Sequence, residues 1–197
     1  MKVQKKSQVN FPVETELAWK EKNRKKVFDC RVFSVYESYC ESPHNELHPF
    51  TILDAADWAI VVPVLETVEG KKFVMVWQWR HGSQGLSLEF PGGVLESGES
   101  PQDAALRELK EETGYKPGSI RKLGEFSPNP AIMANKVHFF LAEGLVNTGS
   151  QDLDADEYVE VELVSAEAVM KGMGKPPFVH ALMGSALALY SACGGTS

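Results

Sequence analysis

A chain of 197 residues that is 43% hydrophobic and 10% aromatic carries enough apolar mass for a core that needs neither disulfide nor metal staples. Its net charge of −7, from 20 Lys and Arg against 27 Asp and Glu, argues against a binder of nucleic-acid backbone or anionic membrane. No apolar run reaches the roughly 18 residues of a membrane span, the basic start MKVQKKSQVN is not followed by the apolar stretch of a secretory leader, and the odd trio Cys30, Cys40 and Cys193 predicts reduced thiols in a cytoplasm.

In chain order, Glu14–Lys26 reads as a polar, basic leader in which Trp19 stands out, because a large aromatic among charges usually has a surface to cover. Strand character begins at Val27, where VFDCRVFSVYESYC alternates apolar with other residues. A turn-prone stretch follows, then HPFTILD, DWAIVVPVLET and KKFVMVWQWR as strands, the last two joined by a hairpin turn at Val68–Gly70. LSLEFPGG runs into glycines ahead of the strongest helix, Pro101–Thr113, with Ser100 as N-cap, Pro101 in the first position and Gly114 as terminator. IRKLGEFS, NKVHFFLAEGL and YVEVELVS are further strands. Ala166–Met170 and Phe178–Tyr190 are helical, the latter with Leu182, Ala186 and Leu189 on one face. Strands and helices mix without regular alternation, which predicts an α+β fold with a mixed or antiparallel sheet.

The chemistry concentrates on the Pro101–Thr113 helix. Glu108, Glu111 and Glu112 stand at i, i+3 and i+4, so three carboxylates share one side at a cost of a few tenths of a kcal/mol per like-charged pair. On its own this pattern describes a solvated acidic face. Two neighbours point elsewhere. The glycine-bearing loop from Pro91 to Gly98 lets backbone approach a ligand closely, and Arg107 can hold a carboxylate through a fork of hydrogen bonds. The opposite face, with Ala105, Leu106 and Leu109, is apolar and can seat the helix on a sheet. Oriented carboxylates with a free carbonyl make a hard oxygen site suited to Mg²⁺ or Mn²⁺.

Gly93, five residues, Glu99, seven residues, then Arg107-Glu108-Leu109-Lys110-Glu111-Glu112-Thr113-Gly114-Tyr115 resembles the complete 23-residue box of the Nudix hydrolases. The resemblance implies an α/β/α sandwich around a mixed β-sheet with an extra N-terminal β region, and metal-dependent hydrolysis of a nucleoside diphosphate linked to another moiety. Gln78-Trp79-Arg80, Leu88-Glu89-Phe90-Pro91-Gly92-Gly93, and Pro130 placed 15 residues beyond Tyr115 are similar to the ADP-ribose and nucleotide-sugar branch. That branch implies substrate contacts at Arg80 and Glu89, a homodimer built on swapped N-terminal strands, and a division into residues 1–55 and 56–197. It also implies metal ligation by Glu108, Glu112 and the Gly92 carbonyl, with Arg107 orienting the glutamates. Glu111 either ligates a further metal or deprotonates water, and Glu157 matches a late metal ligand, with Asp154 and Asp156 as neighbouring candidates. Trp19 either stacks on a base or fills an interface, whereas Trp58 is expected to pack. The five histidines share no ligand spacing and read as structural or surface residues. The loop SPNPAIMANK places Asn135 where ADP-ribose enzymes often carry an acidic residue. Residues 146–157 combine glycine, serine and carboxylates with little apolar anchorage, and are expected to order as their charges are neutralised. Two rival readings are a Nudix hydrolase of nucleoside triphosphates or dinucleotides and a non-catalytic nucleotide-sugar-binding module. The long N-terminal region weighs against the first and the intact box against the second.

Overall fold

The computed structural model describes residues 14–153, 155 and 157–195. Residues 1–13, Asp154, Asp156, Thr196 and Ser197 lie outside them. The chain divides into two compact units, Met1–Ala55 with Ala131–Ala134, and Ala56–Pro130 with Asn135–Ser197.

In the first unit a short helix, α1 (Glu14–Leu17), precedes an antiparallel meander of β1 (Lys20–Asp29), β2 (Phe33–Glu41) and β3 (Leu47–Ala55). The segment around Ile132 adds beside β3, where Leu53 N–H donates to the Ile132 carbonyl at 2.7 Å and Ala134 N–H to the Leu53 carbonyl at 2.9 Å. Two sequence expectations change here. The basic stretch from Lys20 to Lys26 is strand, not leader, and VFDCRVFSVYESYC is broken at residues 30–32 instead of forming one strand. Every residue of β1 is exposed, so no alternation of burial marked it in the sequence. Pairing with β2 holds it instead, assisted by Lys22–Glu41 at 2.7 Å and by Arg24 above the Tyr36 ring at 5.3 Å.

The second unit is a three-layer α/β/α sandwich. Its strands are β4 (Trp58–Thr67), β5 (Gly70–Arg80), β6 (Gly85–Glu89) and β7 (Gly92–Val94) before the helix α2 (Pro101–Thr113). After it come β8 (Tyr115–Lys116), β9 (Ser119–Phe126), β10 (Val137–Glu143), β11 (Val146–Asn147) and β12 (Glu160–Ser165), then α3 (Ala166–Gly172) and α4 (Ala181–Ala192). The main sheet runs β12–β5–β4–β10–β9, with β6 on β5 and β7 on β4, and β11 pairs separately with β8. Among the described residues only the β4–β10 pairing in the main sheet is parallel, which makes the sheet mixed. The run AIVVPVL reads as continuously apolar because β4 is covered on both faces. Ala59 and Val61 meet Ala104, Ala105 and Leu109 of α2, while Ile60, Val62 and Val64 join the core against α3 and α4. Pro63 cannot donate to a ladder, and it falls where β4 has left β7 at Ile60 and has not yet met β5 at Val64. On α4 the buried residues are Met183, Ala186, Leu187 and Tyr190, so the packed face is rotated from the expected one, with Leu182 and Leu189 at its margin.

Candidate active site

Local sequence sets α2 in place. The Ser100 hydroxyl accepts the Asp103 N–H at 3.2 Å, and Gly114 ends the helix in the left-handed region, its N–H bonded to the Lys110 carbonyl. Seating α2 on the sheet turns Ala105 and Leu109 inward, and Glu108 and Glu112 go with them. They are 8% and 2% exposed, so these two carboxylates are not a solvated face.

The glycine loop is shaped around them. A Cβ on Gly93 would stand 2.3 Å from Glu108 Oε1, and one on Gly92 would stand 2.2 Å from the Ala59 carbonyl. Only hydrogen at both positions lets β7 lie against β4 while the Glu108 carboxylate lies against β7. The Gly92 N–H donates to Glu112 Oε2 at 2.9 Å. Burial, then the charges of Glu108 and Glu157, push Glu112 up to about 8 despite the Gly92 N–H and the Arg80 charge. Burial likewise lifts Glu108 to about 7 against the opposing pull of Arg107, with Glu157 and Glu111 adding repulsion.

Arg107 ties the box together. Its Nη1 donates to Glu108 Oε1 at 2.9 Å and to Glu111 Oε2 at 3.0 Å, its Nε to Glu99 Oε1 at 2.9 Å, and its Nη2 to the Val94 carbonyl at 3.1 Å. Helix and loop are thereby held by one guanidinium, whose own proton is bound more tightly by the Glu99 bond and the neighbouring carboxylates.

Beside Glu112, Arg80 forms a fork with Glu89, Nε to Oε1 at 2.9 Å and Nη2 to Oε2 at 2.7 Å. Glu89 is 2% exposed, and burial alone would raise its pKa. The hydrogen bonds from Arg80 and His180 outweigh that and hold it down at about 2. His180 was not singled out in the sequence. It lies 91 residues from Glu89, and nothing in its spacing marks it. Gln151 is a second such residue. Its side chain donates to the Glu112 carbonyl at 2.6 Å, while Asp152 N–H takes the Glu111 carbonyl at 2.9 Å and Thr148 N–H the Gly114 carbonyl at 2.8 Å. The entry to the acidic loop is therefore anchored on the otherwise unsatisfied carbonyls at the end of α2. A cavity of about 560 Å³ opens at Glu157, walled by Trp77, Leu86 and Tyr158.

Of the residues named from the sequence, Gly92, Arg107, Glu108, Glu111 and Glu112 are joined by contacts, and the charges of Glu157 and Arg80 act on Glu112. Trp19 belongs to the first unit, edge-on to His48 at 5.6 Å and Phe50 at 5.2 Å. Trp58 packs against the core of the second unit. Asn135 is buried and donates to the Ala56 carbonyl at 3.0 Å. Among the described residues no three His, Cys, Asp or Glu side chains are already gathered as a metal cage. The donor set nevertheless fits a divalent cation. Burial and mutual repulsion disfavour the ionised forms of two adjacent carboxyl groups, a cation would supply the opposite charge that those forms lack, and a glycine cradle leaves room for their oxygens.

A family model described as the NUDIX domain matches residues 57–182. The ADP-ribose pyrophosphatase of Bacillus subtilis (strain 168) is 36% identical over 149 residues, which cover 75% of this chain and 79% of that protein. The ADP-sugar pyrophosphatase of Mus musculus is 51% identical over 63 residues, covering 32% of this chain and 29% of its own. A solved structure described as an ADP compounds hydrolase aligns with a TM-score of 0.76 at 22% identity, covering 89% of this chain and 93% of that one. At that identity the likeness speaks for the fold.

Proposed function

The chain belongs to the Nudix hydrolase family, and from that premise we propose that it cleaves the pyrophosphate of ADP-ribose or a related nucleoside diphosphate sugar, yielding a nucleoside monophosphate and a sugar phosphate. The observation that carries this reading is the buried Glu108–Glu112 pair, braced by Arg107 and fitted against Gly92 and Gly93. The named activities of the relatives from Bacillus subtilis and mouse support the substrate class.

Glu108, Glu112 and the Gly92 carbonyl would hold Mg²⁺ or Mn²⁺, with Glu157 as a further ligand. Such an ion, when bound, neutralises the pyrophosphate and makes a water acidic enough to attack at neutral pH. Arg107 keeps Glu108 and Glu111 from swinging away. Glu111 is bonded to Arg107 through Oε2, which leaves Oε1 to take the proton of the attacking water as the bond to the leaving phosphate breaks. Arg80 has two of its donor nitrogens committed to Glu89, and its remaining Nη1 donates to a phosphate oxygen. Trp19 stacks on the base. The β1–β3 sheet forms a homodimer contact, supported by the exposed Phe28, Phe33 and Leu47. The division into an N-terminal β region of residues 1–55 and a catalytic domain of 56–197 follows that assignment. A cytoplasmic setting accords with three free thiols.

The test is hydrolysis by the purified protein with Mg²⁺ across ADP-ribose, other nucleotide sugars, dinucleotides and triphosphates, with phosphate products identified by chromatography. ADP-ribose or another nucleotide sugar should be the best substrate by kcat/KM. Preference for a triphosphate or a dinucleotide, or no cleavage at all, overturns the proposal.

A further inference from the structure

We propose that His180 is a positioning residue for substrate phosphate binding: it fastens Glu89, and Glu89 in turn fixes the guanidinium of Arg80 beside Glu112. The inference rests on the preceding reading that Arg80 receives a phosphate of the substrate. It assigns to the C-terminal segment, which contributes no residue to the glutamate box, a part in holding the substrate.

The geometry is specific. His180 Nδ1 lies 3.0 Å from Glu89 Oε2, the same oxygen that accepts Arg80 Nη2 at 2.7 Å. An ionised carboxylate only accepts, so Nδ1 carries the hydrogen and donates. Glu89 is almost fully buried, whereas the Arg80 side chain is 41% exposed. The carboxylate is therefore the fixed end of the fork and the arginine the end that has to be aimed. A long guanidinium side chain on an exposed strand end otherwise samples many rotamers. With the carboxylate braced from behind, Nε and Nη2 are held in one plane, and Nη1 has no hydrogen-bond partner among the described residues.

Two further observations show that the C-terminal segment is built to support this point. Leu88 N–H donates to the Pro177 carbonyl at 3.2 Å, and Phe90 N–H to Met183 Sδ at 2.9 Å. Both neighbours of Glu89 are thus fastened to the stretch that carries His180. His180 also occupies the N-cap of α4 without making a side-chain cap bond. Ser, Thr, Asp or Asn at that position would satisfy an orphan N–H of the helix. The imidazole forgoes that role and is turned to Glu89.

The experiment compares wild type, His180→Ala, His180→Asn, His180→Gln, Arg80→Ala and the Arg80→Ala/His180→Ala double variant. Steady-state hydrolysis of ADP-ribose with Mg²⁺ gives KM and kcat, and ¹⁵N NMR follows the Arg80 Nε–H. The Asn amide nitrogen can occupy the place of Nδ1, whereas that of Gln reaches the place of Nε2. Loss of one hydrogen bond to a charged group should raise KM about tenfold in the Ala and Gln variants, with kcat changed much less. Asn should restore KM, and His180→Ala should add nothing once Arg80 is Ala. The Arg80 Nε–H resonance should move in the Ala and Gln variants and return with Asn. Should the Ala variant fail to fold, the Asn–Gln contrast carries the same test. An unchanged KM, equal behaviour of Asn and Gln, or a full additional loss in the Arg80→Ala background overturns the proposal. If wild type cleaves no nucleotide sugar, the functional reading fails alone; the resonance then decides the His180–Glu89–Arg80 linkage, and its constancy across the variants rejects it.

Discussion

Glu112 combines deep burial, a hydrogen bond from Gly92 and two like-charged neighbours. Glu112→Gln keeps the acceptor for Gly92 and the volume but removes the charge. Its kcat for a nucleotide sugar should fall by on the order of 10²-fold or more with the fold intact by circular dichroism; near-wild-type turnover would mean the pair does not serve the reaction. The same burial sets a pH dependence. Glu108 and Glu112 rise from an ordinary 4.5 to about 7 and about 8, so between 4.5 and 8 the folded chain holds more protons than the unfolded one. Stability without divalent metal should therefore be greatest at the low end of that window and decline as pH rises through 7 to 8. A bound divalent cation favours the ionised forms, so its stabilisation grows in the same direction. Thermal melts at pH 6 and pH 8.5, in chelator and in Mg²⁺, should show a larger metal-induced rise in Tm at pH 8.5. An equal rise at both pH values contradicts the assignment. The i, i+3 and i+4 spacing of these glutamates was legible in the sequence, but their burial was not. Burial follows from which face of α2 meets β4, a matter of packing that charge spacing does not encode.

At the scale of elements, α2 is the best-determined part of the chain because its signals are local. Ser100, Pro101 and Gly114 mark its ends within one turn, and the observed helix, Pro101–Thr113, has those boundaries. Leu109 is fully buried between α2 and the sheet. Leu109→Ala should cost roughly 2–5 kcal/mol in a urea titration, whereas the more exposed Leu106 should cost clearly less; equal losses would mean the helix is seated otherwise. Gly93→Ala tests the loop. Its Cβ would fall 2.3 Å from Glu108 Oε1, so the carboxylate has to move. Metal affinity measured by calorimetry should drop at least about tenfold while the Tm without metal changes little. By contrast β1 gave no local signal. It is polar and exposed along its length, and only its partner β2, reached through the turn at residues 30–32, makes it a strand.

For the whole molecule, the first unit leaves Trp19, Phe28, Phe33, Leu47 and Phe50 each more than a third exposed. The proposed homodimer accounts for that apolar surface, and light scattering at micromolar concentration should return twice the 21.8 kDa chain mass; a monomer mass rejects it. Legible in the residues alone were the α+β class, the order of the longer strands and helices of the second unit (though not the two-residue strands β8 and β11), the limits of α2 and the glutamate box with its arginine. All of these are written in periodicities and spacings that act within a turn or a hairpin. Three features emerge only in the folded chain: Glu89 is joined to His180, Gln151 caps the carbonyl of Glu112, and β4 changes partner around Pro63. These contacts link residues far apart in sequence, and no local pattern specifies them. They arise when the sheet brings its strands together and each buried polar group has to find a partner in the protein.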